Sequence, residues 1–324
     1  MELGVRTAVG AAAASCAGAP RADAPQRAIT EHILALADRA GYGAALIDAA
    51  GVPGTSGTPG TAVTTWPQFA GMVRAAGRGL SRRGLLDTDT VGVLVEDAVS
   101  HVVAVQAIRA AGAIVAPIHP AADLPGAGTA TADIAAQLKQ CRARLLITSA
   151  ALAELAIQAA ERSWVRQVFA FGEAEGTTPF SALLETAKHG HHAGLDGYPN
   201  GHASPDGDVS PNSHASPDGR GGLGLNGHGE EVPGSVAAQI PGRAGGRREL
   251  RLTSRDVVVA GPPCGPDGTY TSLLDLALCA GATIVAAPLA QITAAVEAYK
   301  GTAAIVPRGT EVPVLPAGRI LTLG

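Results

Sequence analysis

Aromatic side chains are scarce in this sequence: two Trp, four Tyr and four Phe amount to 3% of 324 residues. Stacking platforms for single-stranded nucleic acid are therefore few, and any core has to be built mainly from Ala, Val, Leu and Ile. Lysine is scarcer still. Lys139, Lys188 and Lys300 are the only three, so a mechanism that needs an amine nucleophile or a phosphate-binding ammonium has few places to find one. Positive charge is not in excess: 24 basic residues against 28 acidic ones leave a net charge of -4. A nucleic-acid binder needs a basic surface to displace counterions, and nucleic acid is set aside as a partner. The four cysteines, Cys16, Cys141, Cys264 and Cys279, form no CxxC pair, and no His stands at a metal-like spacing from them. That excludes a disulfide framework and a cysteine zinc site, and it fits a reducing cytoplasm. No apolar run reaches the ~18 residues of a membrane span.

Glycine and proline are abundant, with 42 and 22 residues, and their excess is local. Residues 1–28 are Ala-rich, with Glu2 ahead of Arg6, and read as a flexible leader rather than a secretion signal. Residues 187–234 are rich in Gly, Pro, Asp, Asn, Ser and His and carry HASPDG twice, at 202–207 and 214–219. Such a stretch buries too little to offset the entropy of ordering its backbone, so a disordered insertion is expected. The remainder divides into an α/β subdomain at 29–186 and a partial second α/β subdomain at 235–324.

Within those two segments, helical and extended patterns alternate. Thr30 is placed to cap a helix through about Arg39, and AALID at 44–48 reads as a buried strand. Thr65 and Pro67 open a helix whose Phe69, Val73, Ala76 and Leu80 fall on one face, with Gly84 as the stop. Strands follow at 91–95, 113–118, 145–148 and 167–171, separated by helices. Beyond the insertion, strands are expected at 257–260 and 282–287 and helices at 272–278 and 292–299. Strands that are apolar throughout, joined by helices, predict parallel-type sheets with flanking helices, an α/β fold.

Several of these runs resemble the adenylate-forming ligases, the acyl- and aryl-CoA synthetases of the 4-coumarate-ligase type. The carriers are ALIDAAG at 45–51 with its preceding Ala44, TWPQF at 65–69, GLSRRGLLDTDTVGVLV at 79–95 and, most specifically, VVAVQAIRAAGAIVAPIHP at 102–120. RLLITS at 144–149 and VFAFGE at 168–173 resemble the next two strands. The resemblance implies the N-terminal part of that fold. It also implies an activity: attack of a carboxylate on the α-phosphate of ATP gives an acyl-adenylate, which is then transferred to a thiol. ATP or AMP with Mg would be the cofactors, if any binding is retained.

The first step in that family depends on a glycine-rich SGTTGxPKG loop, whose N–H groups, hydroxyls and lysine hold the phosphates. The matching place is PGRAGGRRE at 241–249, followed by LRLTSRDVV, in which Leu252, Thr253 and Arg255 agree with the family. Gly242 and Gly245 remain. Arg243 and Ala244 stand where the hydroxyls belong, Arg248 replaces the lysine and Glu249 replaces a glycine. A guanidinium can hold a phosphate, but its planar fork presents charge differently from an ammonium. These residues favour a basic solvent-exposed turn over a working nucleotide loop. Gly242, Arg243, Gly245 and Arg248 are nonetheless the cofactor-binding candidates.

A second family motif, PFFHxYG, corresponds to PCGPDGT at 263–269, which keeps only Pro263. After VPVLPAGRILTLG the sequence stops near where the family would begin its next sheet, without counterparts for the later catalytic segments. No catalytic residue is assigned. His189, His191 and His192 are clustered but lack a rigid element, and a solvated linker is preferred to a metal site. Cys264 lacks a neighbouring His, while Cys141 and Cys279 follow apolar helical patterns and are expected in the core. Together these departures point to a catalytically degenerate ligase-like protein that acts through a protein partner, either a complete ligase or another copy of itself. The alternative is an active or split acid-CoA ligase.

Overall fold

Helix α2 (Trp66–Arg82) shows how local chemistry sets an element. The Thr65 hydroxyl accepts from the Gln68 N–H at 3.5 Å, while the Gln68 side chain accepts from the Thr65 N–H at 2.9 Å, and Pro67 occupies the first turn. This is a reciprocal capping box. Phe69, Val73, Ala76 and Leu80 are all buried on one face, and Gly84 ends the helix with φ +79°.

These details come from a computed structural model that describes residues 24–49, 62–119, 127–185, 236–241, 247–264, 268–315 and 319–323. The leader 1–23, the expected insertion 187–234 and the histidine cluster lie outside the described residues.

Two larger sheets are present. One runs β13-β12-β10-β11-β1-β2, made of β1 (Ala44–Asp48), β2 (Ala62–Thr65), β10 (Val257–Ala260), β11 (Thr283–Ala286), β12 (Ala303–Pro307) and β13 (Ile320–Leu323). All its pairings are parallel except β1 with β2. The other runs β4-β3-β5-β6-β7 and is wholly parallel. It comprises β3 (Thr90–Leu94), β4 (Ile114–Pro117), β5 (Ala143–Ser149), β6 (Gln167–Phe171) and β7 (Thr178–Pro179). The α/β expectation therefore holds. The sheets do not, however, follow the division at 187–234: β1 and β2 precede it in sequence yet complete the sheet that the later strands build.

Strand alternation sorts the core into layers. Val258, Ala260, Ile284, Ala303 and Ile305 face a central cluster, whereas Val259, Val285, Ala304 and Val306 face the opposite side, under helix α8 (Ile292–Ala298). In the second sheet Leu145 and Ile147 point to the same central cluster, and Leu146 points away, toward α4 (Ala127–Gln140) and α5 (Ala153–Glu161). The shared layer holds α1 (Ala24–Ala37), α2, α3 (Ala98–Ala110) and α7 (Thr269–Cys279). Helix α3 is buried on every side, with residues 101–109 all inaccessible. A helix whose buried face runs all round, interrupted by His101, Gln106 and Arg109, belongs at such a centre, which accounts for the specificity of the 102–120 run.

Two local expectations are corrected. Thr30 is not an N-cap: α1 starts at Ala24, six residues earlier, and the buried Thr30 hydroxyl donates to Gln106 Oε1 at 2.6 Å. A tertiary partner took the oxygen that a cap would have used. Of the basic turn expected across 241–249, Pro241 and residues 247–249 are strand, and 242–246 lie outside the described residues. Cys141 and Cys279 are half-buried, and burial together with Asp275 pushes the Cys279 thiol up to about 12.

Helix α6 (Ser181–Leu184) lies so close to α2 that a Cβ on Gly79 would fall onto the Leu183 carbonyl oxygen. Gly79→Ala is expected to cost about 1–3 kcal/mol through this overpacking. A urea midpoint equal to wild type would show that α6 moves aside freely.

Candidate functional site

The turn expected to meet a nucleotide is the tip of a separate hairpin. Strands β8 (Val236–Pro241) and β9 (Arg247–Leu252) pair antiparallel, with Ile240 opposite Arg248 and Pro241 opposite Arg247. Residues 242–246 connect them, so Gly242, Arg243 and Gly245 lie outside the described residues, while Arg248 stands on β9 itself. Leu250 and Leu252 alternate inward to the central core, with the exposed Arg251 between them. β8 packs on α7. Both strands thus anchor the hairpin, β9 through Leu250 and Leu252 and β8 through Val236.

Thr253 and Asp256 fix the exit from β9. The Thr253 N–H and hydroxyl donate to Asp256 Oδ2 at 2.7 and 2.9 Å, and Thr302 Oγ1 donates to Oδ1 at 2.7 Å. Burial raises the carboxyl, but the hydrogen bonds from Thr302 and Thr253 and the nearby Arg319 guanidinium outweigh it and hold Asp256 below the ordinary carboxylate value. Thr253, one of the residues shared with the family pattern, is therefore occupied in shaping a turn.

The second expected stretch leaves the C-terminal end of β10, where ligands of open parallel sheets gather. Residues 265–267 lie outside the described part, and Cys264 is half-buried. Gly268, at φ +69°, leads into α7. Tyr270 clasps the loop from its far end: its hydroxyl donates to the Gly261 carbonyl at 2.6 Å. Burial, with Cys264 and Asp97 nearby, pushes this phenol well above its ordinary value. The His101 ring meets Tyr270 edge-on at 5.3 Å, and its Nε2 lies 2.9 Å from Thr271 Oγ1. Burial, with His119 and Arg109 adding like charge, lowers His101 to about 3. At neutral pH it is an uncharged hydrogen-bonding wedge, enclosed away from solvent, and not a proton carrier.

A polar seam extends from there along α3 and α7. Arg109 NH1 donates to both Asp275 oxygens at 2.9 and 2.8 Å, and Gln106 Nε2 donates to Asp275 Oδ1 at 2.7 Å. Thr30 on α1 completes the chain through Gln106. The Arg109 and Asp275 side chains are only 7% and 10% exposed, so the pair is a buried one. Thr30 was read from sequence as a cap, and Gln106, Arg109 and Asp275 were not singled out as site residues. The available signal was His101, Gln106 and Arg109 at spacings of five and three inside an otherwise apolar helix. The seam positions α7 against α3. It offers orientation, not a nucleophile or an exchangeable proton. Among the described residues no group of three His, Cys, Asp or Glu side chains could hold a metal ion, and no helix is long and apolar enough to cross a membrane.

The pattern of AMP-binding enzymes matches residues 45–208, half of the chain. The protein belongs to the AMP-binding enzyme family. No curated protein matches it. Among solved structures it is similar to a long-chain-fatty-acid-CoA ligase from Archaeoglobus fulgidus, at 16% identity and a TM-score of 0.51, covering 86% of this chain and 51% of that one. It is also similar to the amide bond synthetase McbA from Marinactinospora thermotolerans, at 14% identity and a TM-score of 0.53, covering 93% and 55%. A third is a luciferase-like enzyme from the nonluminescent mealworm Zophobas morio, at 13% and 0.55, covering 91% and 66%. At such identities the likeness shows the fold, that of the N-terminal part of adenylate-forming ligases. The chain spans about half the length of the first two.

Family membership implies ATP or AMP with Mg in general. The donor set at the hairpin tip does not fit that group as the family holds it: Ala244 has no hydroxyl, Glu249 is acidic, and Lys is absent from the whole span between Lys188 and Lys300. No chemical step through a bound triphosphate is derived for this chain.

Proposed function

We propose that this chain is a catalytically degenerate relative of the acyl- and aryl-CoA ligases, cytoplasmic, acting by binding a protein partner rather than by adenylating an acid. The supporting observation is that Arg243 and Ala244, between β8 and β9, and Arg248 and Glu249, on β9, stand in for the two hydroxyls, the lysine and the glycine of the family loop. Phosphate stabilisation of this kind depends on donors aimed at developing charge, and removing one such donor costs on the order of 10²–10³ in rate. Several substitutions together would leave little adenylation. The partner under this reading is a complete ligase or a second copy of the chain.

The test is ATP–pyrophosphate exchange with a panel of aliphatic and aromatic carboxylic acids. No exchange above the protein-free background is expected, and calorimetric titration with ATP and Mg should give the same heats for wild type and Arg248→Ala. Robust acid-dependent exchange that Arg248→Ala abolishes would establish an active ligase instead.

A further inference from the structure

A groove of about 470 Å³ lies between α1, α2 and α3, away from the hairpin and the β10 loop. Five arginines line it: Arg27 from α1, Arg74, Arg78 and Arg82 from α2, and Arg109 from α3. The three on α2 are spaced four residues apart and so form one stripe along a single face. Three of the five have carboxylates of their own. Arg27 pairs with Glu31 at 3.1 Å, Arg74 with Asp38 at 2.6 Å and Arg109 with Asp275 at 2.8 Å. The other two do not. Arg82 donates only to a backbone carbonyl, that of Glu185, at 2.8 Å, and Arg78 makes no hydrogen bond or ion pair with any described residue. Glu31, the partner of Arg27, lines the groove as its one carboxylate, and Arg78 and Arg82 are left without a carboxylate partner of their own among the described residues.

This arrangement disfavours the helix by itself. Like charges four residues apart repel, and the chain as a whole carries a net charge of -4. Among the described residues nothing pairs with the Arg78 charge. The lining also includes the apolar Leu34, Gly77 and Ala110, beside the hydroxyl residues Thr30 and Ser81. Gly77 is what brings α2 and α3 together there, since a Cβ at that position would meet Ala110 Cβ at 3.0 Å. A volume in this range suits a small molecule, and arginine forks match the oxygens of a phosphate two at a time.

We propose that this groove binds a small molecule bearing a dianionic phosphate or pyrophosphate group, with Arg78 and Arg82 taking the charge, Arg27 closing it from α1, and Leu34, Gly77 and Ala110 receiving the rest of the ligand. It is a second anion site, independent of the hairpin tip. Arg109 connects it to α7 through Asp275, so the ligand would sit one residue away from the α3–α7 seam.

The probe is inorganic pyrophosphate, titrated by calorimetry into the full chain at low salt. Arg78→Ala/Arg82→Ala should bind at least tenfold more weakly than wild type, with a urea midpoint close to wild type, since Ala is a good helix former and the one bond lost, from Arg82 to the Glu185 carbonyl, is exposed. Arg248→Ala should bind as wild type does. Raising the salt should weaken the wild-type affinity, as expected for exposed charge pairing. Equal affinities for wild type and the double variant, no binding to wild type, or loss of binding in Arg248→Ala would each overturn the proposal. Binding of hexaglutamate in place of pyrophosphate would overturn it in favour of an acidic protein segment.

Discussion

Between pH 7 and pH 4 the protein should lose about 3 kcal/mol of folding free energy through His101 alone. The imidazole is held at about 3 in the folded state, against an ordinary value of 6.5. Below 6.5 the unfolded chain takes up a proton that the folded chain refuses, so stability falls as the pH drops, at about 1.4 kcal/mol per unit until the folded value is reached. Above 6.5 neither state binds the proton and the effect vanishes. Urea unfolding at pH 7, 6, 5 and 4 measures the slope. His101→Gln, which retains polar atoms beside Thr271 and cannot titrate, should flatten the curve between pH 6.5 and 4.5 whatever its own stability at pH 7. Asp256 works in the same direction at lower pH: its folded value is depressed, so its contribution is present above the unfolded carboxylate value and is lost as pH falls below it. A wild-type slope that His101→Gln leaves intact would mean that the ring opens to solvent before it titrates.

Asp275→Ala should be the more damaging substitution at neutral pH. It leaves the Arg109 guanidinium buried without its carboxylate and removes the acceptor of Gln106. Breaking one side of a buried ion pair costs about 3–5 kcal/mol, a large part of the roughly 5–15 kcal/mol that holds a typical domain together. Asp275→Asn, which keeps one acceptor for Gln106, should fall between the two. The two proteins and wild type are compared by urea unfolding at pH 7. A loss below about 1 kcal/mol for the alanine variant would show that the α3–α7 seam is wet and relaxes around the change.

Strands whose apolar run is unbroken were legible in the sequence. β6 and β10 have the bounds their patterns predict, and α2 carries its cap in plain view as Thr65, Pro67 and Gln68. β12 is AAIVP, short, Ala-rich and ended by proline, and β13 is ILTL. Neither offers a periodic signal, and both form because parallel neighbours supply the pairing. The hairpin was hidden for another reason. RRELRL looks like a charged loop unless Leu250 and Leu252 are read as one face of an alternating strand. Of the site, the tip residues were identified by resemblance, while His101, Gln106, Arg109 and Asp275 were not, because their meaning lies in a contact between helices about 170 positions apart. The arginine groove was equally invisible: Arg74, Arg78 and Arg82 look like an ordinary solvated helix face until α1 is laid beside it.

The place of β1 beside β11, Leu46 against Ile284, has a consequence for biosynthesis. A ribosome delivering roughly 5–20 residues per second releases the earlier strand about ten seconds to a minute before its partner emerges. For that interval an Ala-Leu-Ile edge has no neighbour on one side. The nascent chain is then most exposed to misassembly, and a chaperone that shields short apolar strands would act on it at that stage.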